Sequence, residues 1–154
     1  MKSREINKLS DLLGNNLKLV VCGTAAGNTS AQLKQYYAKR GNKFWNTLFQ
    51  TGLTTVLPSP AEVGNLPEYG IGLTDLVKGK SGMDWGLADT DFSRDSLTRN
   101  LKQYQPRYLC FNGKRAAGEY FQHPVAYGVQ PATVGKTAFF VAPSTSGAAN
   151  MCWD

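Results

Sequence analysis

Three kinds of side chain in this sequence have the chemistry to act together on a flat, polar ligand. Tyr36 and Tyr37 offer aromatic faces on which a planar ring can stack. Asp75 ends a short apolar run, where its carboxylate could orient a water molecule, although a hydrogen bond that orders a loop would also explain it. Asn42 precedes an aromatic-rich segment, and a simple helix cap explains it as well as a role in binding does. Together these residues predict a pocket for a planar base.

The elements around the tyrosines are predicted to hold them at the end of a strand. Leu17–Cys22 is an apolar run and indicates a buried first strand that ends at Gly23. The glycine-bracketed segment Gly23–Gly27 is then predicted to be a loop. A helix is predicted to begin near Asn42, and four of its apolar residues share one face: Phe44, Trp45, Leu48 and Phe49.

The rest of the chain alternates apolar runs with helical periodicity. We predict strands at Ile71–Val77, Arg107–Phe111 and Thr137–Val141, helices around Leu97–Tyr104 and 114–122, and an exposed loop over 78–82. The predicted fold class is therefore α/β, a three-layer α/β/α sandwich with a central, mainly parallel four-stranded sheet. Such sheets bind ligands beyond the carboxyl ends of their strands. Four segments should open there: Gly23–Ser30, Asp75–Gly82, Asn112–Gly113 and Pro143–Asn150.

The bulk properties indicate one intracellular domain with a polyanionic partner. The chain has 154 residues and is 42% hydrophobic, which suits a single domain over 1–154. Its 17 Lys and Arg against 11 Asp and Glu give a net charge of +6, which favours binding to phosphates. Cys22, Cys110 and Cys152 lack CxxC spacing, so buried thiols are expected instead of a metal site or disulfides. We find no signal peptide or membrane span in the sequence and expect a cytoplasmic, nucleoid-associated monomer.

Three blocks of sequence resemble one enzyme family. They are Gly23–Gly27 with Tyr36-Tyr37-Ala38, Asn42-Lys43-Phe44-Trp45 and Gly52-Leu53-Thr54, then Gly70–Val77, then Pro143–Asn150. This order is similar to that of the uracil-DNA glycosylase superfamily, on the branch of mismatch-specific uracil/thymine-DNA glycosylases and their hypoxanthine-excising relatives. Those relatives continue into a further helix after the third block.

The resemblance implies a set of site residues, with no metal and no cofactor. The implied base-binding residues are Gly23, Thr24, Ala25, Tyr37 and Ala142. The implied DNA-binding residues are Ser144, Thr145, Ser146, Gly147 and Ala148 in the loop that enters DNA, with Lys39, Arg40 and Lys114 at its margin. Tyr37 corresponds to the aromatic residue that stacks on the base in this family.

Two positions depart from the family's pattern. Ala25 stands where relatives carry the Asn or Asp that positions water, and Ala142 stands where they carry an Asn or His donor. The catalytic residue is therefore expected elsewhere. Asp75 is the first candidate and Asn42 the second, because hypoxanthine-excising relatives use the asparagine of the Asn-x-Phe-Trp motif.

Three functions follow from these residues. The first is a monofunctional DNA glycosylase that flips out uracil or a related deaminated base and hydrolyses its N-glycosidic bond. The second is a protein that binds abasic or damaged DNA without cutting it. The third is a nucleotide-binding enzyme that cradles phosphate at Gly23–Gly27, although this segment lacks both a Walker lysine and a GxGxxG pattern. For the first, we expect the base to fit between Tyr37 and the carboxyl edge of the sheet, with Asp75 beside it.

Overall fold

The computed structural model describes residues 9–81 and 93–146. In chain order the elements are β1 (Leu19–Ala26), α1 (Asn28–Leu33), α2 (Phe44–Gln50), a 3₁₀ helix (Pro60–Tyr69), β2 (Ile71–Ser81), α3 (Arg94–Tyr104), β3 (Tyr108–Asn112), α4 (Lys114–Phe121), β4 (Gly128–Val134) and β5 (Thr137–Ala142). None of the helices within these two ranges is long and apolar enough to cross a membrane.

The five strands form one sheet in the order β2-β1-β3-β5-β4. Four of them run parallel, and β4 pairs antiparallel with β5 at one edge. This confirms the predicted α/β class with a mainly parallel sheet, but the predicted number of four strands was wrong. The additional strand, β4, contains Pro131 and is largely exposed, as is typical of an edge strand. It was not predicted because an exposed strand has no run of apolar residues.

Two hydrophobic clusters cover the two faces of this sheet. Successive residues of a strand point to opposite faces, so Val20 and Cys22 join one cluster while Val21 joins the other. The first cluster includes residues of α3 and α4, and the second includes residues of α2 and the 3₁₀ helix. The helices therefore lie in layers on both sides of the sheet, as the three-layer prediction required.

The first and second strands are longer than predicted. β1 continues through Gly23 to Ala26, so the prediction of a loop over Gly23–Gly27 was wrong. β2 continues through residues 78–81, which were predicted to be an exposed loop. The two strands stay paired beyond the predicted boundaries, with Gly23 opposite Asp75 and Ala25 opposite Val77. A phosphate cradle at Gly23–Gly27 is therefore not formed.

The helix α2 follows the predicted periodicity except at one residue. Phe44, Trp45 and Leu48 are buried, whereas Phe49 remains 43% exposed. Phe49 therefore lies outside the face of α2 that packs against the core.

Candidate active site at the carboxyl edge of the sheet

Asp75 lies inside the carboxyl edge of the sheet, next to β1 and Tyr37. It is opposite Gly23 in the register of β1 and β2, and the residue is 7% exposed. Thr74, which precedes it, donates a hydrogen bond from Oγ1 to Asp11 Oδ1 at 2.7 Å. Asp75 is thus held on a strand that is fixed on both sides, by β1 and by the segment around Asp11.

Gly23 is required by the approach of Asp75 and Tyr37. A Cβ atom at position 23 would lie 2.7 Å from Asp75 Oδ1 and 3.3 Å from the hydroxyl oxygen of Tyr37. The first distance is shorter than real Cβ atoms show, so an alanine at this position would force one of the groups to move. The glycine therefore leaves room for both the Asp75 carboxylate and the Tyr37 phenol next to β1.

Tyr37 directs its hydroxyl group into this edge. Its backbone adopts a left-handed conformation with φ of +52°, which costs a non-glycine residue about 1–2 kcal/mol. Its ring packs against Phe44 with centroids 4.1 Å apart. The hydroxyl oxygen is buried and makes no hydrogen bond to any part of the chain that the structure describes.

The same surroundings keep the phenol of Tyr37 neutral. Burial raises the pKa of Tyr37 well above its ordinary value, and the negative charge of Asp75 raises it further. The side-chain amide of Asn112 opposes this rise only in part. The hydroxyl therefore stays protonated at neutral pH and can donate a hydrogen bond.

Tyr36 has a structural role that differs from that of its neighbour. Its hydroxyl donates to the Ser10 carbonyl oxygen at 3.1 Å, and its own carbonyl oxygen accepts a hydrogen bond from Trp45 Nε1 at 3.2 Å. Ser30 Oγ accepts a hydrogen bond from the backbone N–H of Ala38 at 2.9 Å. These contacts on both sides fix the turn that carries Tyr37.

The space expected for a base next to Gly23 is filled by Tyr37 itself. Only 3.3 Å separate its hydroxyl oxygen from the place of a Cβ at position 23. A planar base therefore does not fit between the hydroxyl end of Tyr37 and the strand edge in this conformation. The residue as a whole is half-buried, and its hydroxyl group is fully buried.

Asn42 precedes Lys43, the N-cap residue of α2, and its side chain bonds to the first helical residue. Its Oδ1 atom accepts a hydrogen bond from the backbone N–H of Phe44 at 3.0 Å. This is the helix-capping alternative that the sequence left open, and it satisfies one of the donors at the start of the helix. The structure does not bring Asn42 into the contacts that join Gly23, Tyr37 and Asp75.

Thr145 connects the third sequence block to two other elements. Its backbone N–H donates to Asn112 Oδ1 at 2.8 Å, and its Oγ1 accepts from Asn112 Nδ2 at 2.9 Å. Its carbonyl oxygen accepts a hydrogen bond from the Lys43 N–H at 2.8 Å. The sequence placed Asn112–Gly113 at this edge of the sheet, but Asn112 was not predicted as a site residue, because its partner Thr145 is 33 residues away in the chain.

The remaining base-binding predictions fall on the ends of strands. Thr24 and Ala25 lie within β1, and Ala25 packs against the cluster that contains α3 and α4. Ala142 ends β5, and its carbonyl oxygen accepts a hydrogen bond from the Gly113 N–H at 2.9 Å. Neither alanine supplies a polar side chain, which leaves Asp75 as the carboxylate of this edge among the described residues.

The predicted DNA-binding residues are only partly described. Ser144 and Ser146 lie in the loop after β5, where Ser144 Oγ accepts a hydrogen bond from the Ser146 N–H at 3.2 Å. Gly147 and Ala148 lie outside the described residues. The three predicted cations at the margin are all exposed: Lys39 and Arg40 before α2, and Lys114 at the start of α4, with its Nζ 4.3 Å from the centroid of the Tyr127 ring.

The comparison with known families decides the relationship. The sequence profile described as "Uracil DNA glycosylase superfamily" matches residues 11–152. The chain belongs to this superfamily. A solution NMR structure from Methanosarcina acetivorans, provisionally assigned as a uracil DNA glycosylase, superposes with a TM-score of 0.67 at 21% identity. It covers 97% of this chain and 89% of its own, so the two share the fold.

Membership makes DNA the expected class of ligand, since members of the uracil DNA glycosylase superfamily are DNA glycosylases. The matched range includes the strand edge with Gly23, the turn with Tyr37, the strand with Asp75 and the loop with Thr145. Gly23, Tyr37, Asp75 and Thr145 thus all lie within the range that the superfamily profile matches.

Proposed function

We propose that this protein is a monofunctional DNA glycosylase that removes uracil or a related deaminated base by hydrolysis and leaves an abasic site. The observation that supports this proposal most strongly is the position of Asp75 at the carboxyl edge, against Gly23 and Tyr37. The first sequence block has no carboxylate or amide at position 25, so a neighbouring strand must provide one. Asp75 is the described residue that meets this need.

In the proposed reaction, Asp75 acts on the water and on the sugar. The oxygen of a water molecule bonds to C1′ of the deoxyribose, while the N-glycosidic bond breaks and leaves its electron pair on the base. The carboxylate accepts a proton from the water and stabilises the positive charge that develops on the sugar. A positioned acid or base of this kind contributes about 100-fold to 10,000-fold in rate.

Tyr37 is proposed to receive the flipped base on its aromatic ring. Stacking of a base on an aromatic side chain contributes about 1–3 kcal/mol. Because the hydroxyl end now fills the space before Gly23, the Tyr37 side chain must shift for the sugar to approach Asp75. Mispaired or single-stranded uracil is the expected substrate, since flipping costs least where pairing is already weak.

Binding of abasic DNA without cleavage is the second candidate. The burial of Asp75 and the absence of polar side chains at Ala25 and Ala142 favour it. A protein of this kind would retain DNA that contains an abasic site but would release no base from any substrate.

An excision panel separates the two candidates. The protein is incubated with oligonucleotides that carry uracil, hypoxanthine, xanthine or a mispaired thymine, in single and double strands, and the products are cleaved with hot alkali. The proposal predicts strand cleavage at uracil or at another deaminated base. Tight retention of abasic DNA with no cleavage on any substrate over hours would instead establish the binding function.

A further inference from the structure

Asn112 joins two loops of the candidate site through its side chain. It is the last residue of β3 and lies opposite Ala142, the last residue of β5. Its amide both donates to and accepts from Thr145, at 2.9 Å and 2.8 Å. Thr145 is itself buried and is bonded through its carbonyl oxygen to the backbone of Lys43, at the start of α2.

The backbone after Asn112 is shaped for this contact. Gly113 has φ of +106°, a conformation that side chains disfavour, and a Cβ there would lie 3.2 Å from Ser144 Cβ. The Gly113 N–H also donates to Ala142. The loop after β5 therefore packs closely onto the end of β3, and the side chain of Asn112 is hydrogen-bonded to Thr145 in this loop.

We propose that Asn112 is a positioning residue, which fixes Thr145 and with it the Ser144–Ser146 segment relative to Tyr37 and Asp75. This inference rests on the proposed function, in which that segment contacts DNA. The amide suits the task because Thr145 presents an N–H donor and a hydroxyl acceptor together. An amide side chain can accept from the N–H and donate to the hydroxyl, whereas a carboxylate can only accept and an aliphatic side chain can do neither.

The position of Asn112 also links the loop to the base side of the site. Its amide lies close enough to the Tyr37 hydroxyl to oppose the rise in the pKa of Tyr37, although the two groups do not reach hydrogen-bond geometry. Loss of the amide should therefore lower the affinity for DNA and also change the geometry at Asp75. A residue that only stabilised the fold would lower the melting temperature and leave these functional properties of the folded protein unchanged.

The test compares Asn112→Ala, Asn112→Asp and Thr145→Val with Asn46→Ala, a control at an exposed position of α2. Three quantities are measured on the full chain: the exchange rate of the Thr145 amide hydrogen, the affinity for a duplex with a tetrahydrofuran abasic site, and the single-turnover rate on a uracil oligonucleotide at saturating protein. For Asn112→Ala we expect the amide of Thr145 to exchange about tenfold faster or more, and the affinity and the single-turnover rate to fall by about tenfold or more. A tenfold change corresponds to about 1.4 kcal/mol. Asn46→Ala should change none of them.

The partial variants separate the two hydrogen bonds. Asn112→Asp keeps the acceptor for the Thr145 N–H and should lie between wild type and Asn112→Ala. Thr145→Val removes the hydroxyl acceptor, and the double variant Asn112→Ala/Thr145→Val should be no worse than Asn112→Ala alone, because both changes break the same contact. If Asn112→Ala does not fold, Asn112→Asp and Thr145→Val decide the matter.

Failure of the positioning role and failure of the proposed reaction give different results. Unchanged amide exchange and abasic-site affinity in the folded Asn112 variants would overturn the positioning role. If wild type excises no base, the proposed reaction fails, but amide exchange and abasic-site affinity still test whether Asn112 positions the loop.

Discussion

The two edges of the parallel sheet differ in how their polar groups are held. At the carboxyl edge, Gly23 leaves room for the buried polar atoms of Asp75 and Tyr37, and the buried Thr145 is hydrogen-bonded to Asn112 at the end of β3. At the amino edge, the side chains of Lys18, Arg107 and other residues line an open hollow.

The hollow at the amino edge carries charge without a buried polar cluster. Its lining includes Lys18, Arg107 and Lys136 with the amides Asn15 and Gln103, and none of the described lining residues is acidic. Three exposed cations, Lys39, Arg40 and Lys114, also flank the carboxyl edge, so positive charge alone does not distinguish the two edges. The comparison teaches that burial of polar groups identifies the candidate site, whereas net charge indicates only the class of ligand.

Among the changes that leave Asp75 in place, the largest effect is expected from the glycine that permits its close approach. Gly23→Ala should lower base excision by about 100-fold, because a shift of Asp75 by a fraction of its side-chain length misaligns the reacting groups. Gly27→Ala is the matched control, since its Cβ would meet no atom within 4 Å and its φ of −65° suits alanine. Single-turnover rates compare the two variants. Normal activity in Gly23→Ala would show that the contact at Asp75 is unimportant.

The next largest effect is expected on DNA affinity when three cations are removed from the carboxyl edge, compared with the removal of three from the amino edge. The triple variant Lys39→Gln/Arg40→Gln/Lys114→Gln should weaken DNA binding at about 0.1 M salt and lower the salt slope by about 0.9 for each lost phosphate contact. Lys18→Gln/Arg107→Gln/Lys136→Gln loses the same charge at the other edge and should change the slope little. Affinity titrations at several salt concentrations measure both. Equal slopes in the two variants would remove the distinction between the edges.

The paired tyrosines should differ in their effect on stability. Tyr36→Phe loses a hydrogen bond to Ser10 and should lower the free energy of unfolding by about 0.5–1.5 kcal/mol. Tyr37→Phe removes a buried hydroxyl that has no hydrogen bond within the described residues, so it should cost nothing or stabilise the fold. Urea denaturation monitors both. An equal loss in the two variants would show that the Tyr37 hydroxyl has a structural partner.

The smallest effect at neutral pH concerns the ionisation of these tyrosines. Burial raises the pKa of both above the ordinary value of 10.0, so the folded protein keeps protons that the unfolded chain releases. Their contribution to stability is complete below about pH 10 and is lost as the pH rises further. The Tyr36→Phe/Tyr37→Phe variant should show a weaker alkaline loss of stability than wild type. An unchanged alkaline profile would contradict the burial of both phenols.

Much of the fold follows from local sequence patterns, and its exceptions have physical causes. The helix α3 and the strands β3 and β5 follow from the spacing of apolar residues, because each buries a continuous face. β4 is exposed along most of its length, so it has no apolar pattern to detect. Gly23 suggested a turn, but its purpose is to make room for Asp75 within a continuing strand.

The candidate site was predictable where it depends on residue type and not where it depends on register. Asp75 and Tyr37 were identified from their chemistry and from the family resemblance. Asn112 meets Thr145 only because β3 and β5 are paired with Asn112 opposite Ala142. No local pattern contains that relation, since 33 residues separate the two partners.

The most direct test of the account is the single-turnover excision rate of Asp75→Asn on a uracil oligonucleotide. Asp95→Asn, at an exposed position of α3, serves as the control. We predict a loss of about 100-fold or more for Asp75→Asn with abasic-site affinity near that of wild type, and no loss for Asp95→Asn. An Asp75→Asn rate within about twofold of wild type would contradict the assignment of Asp75 as the catalytic carboxylate.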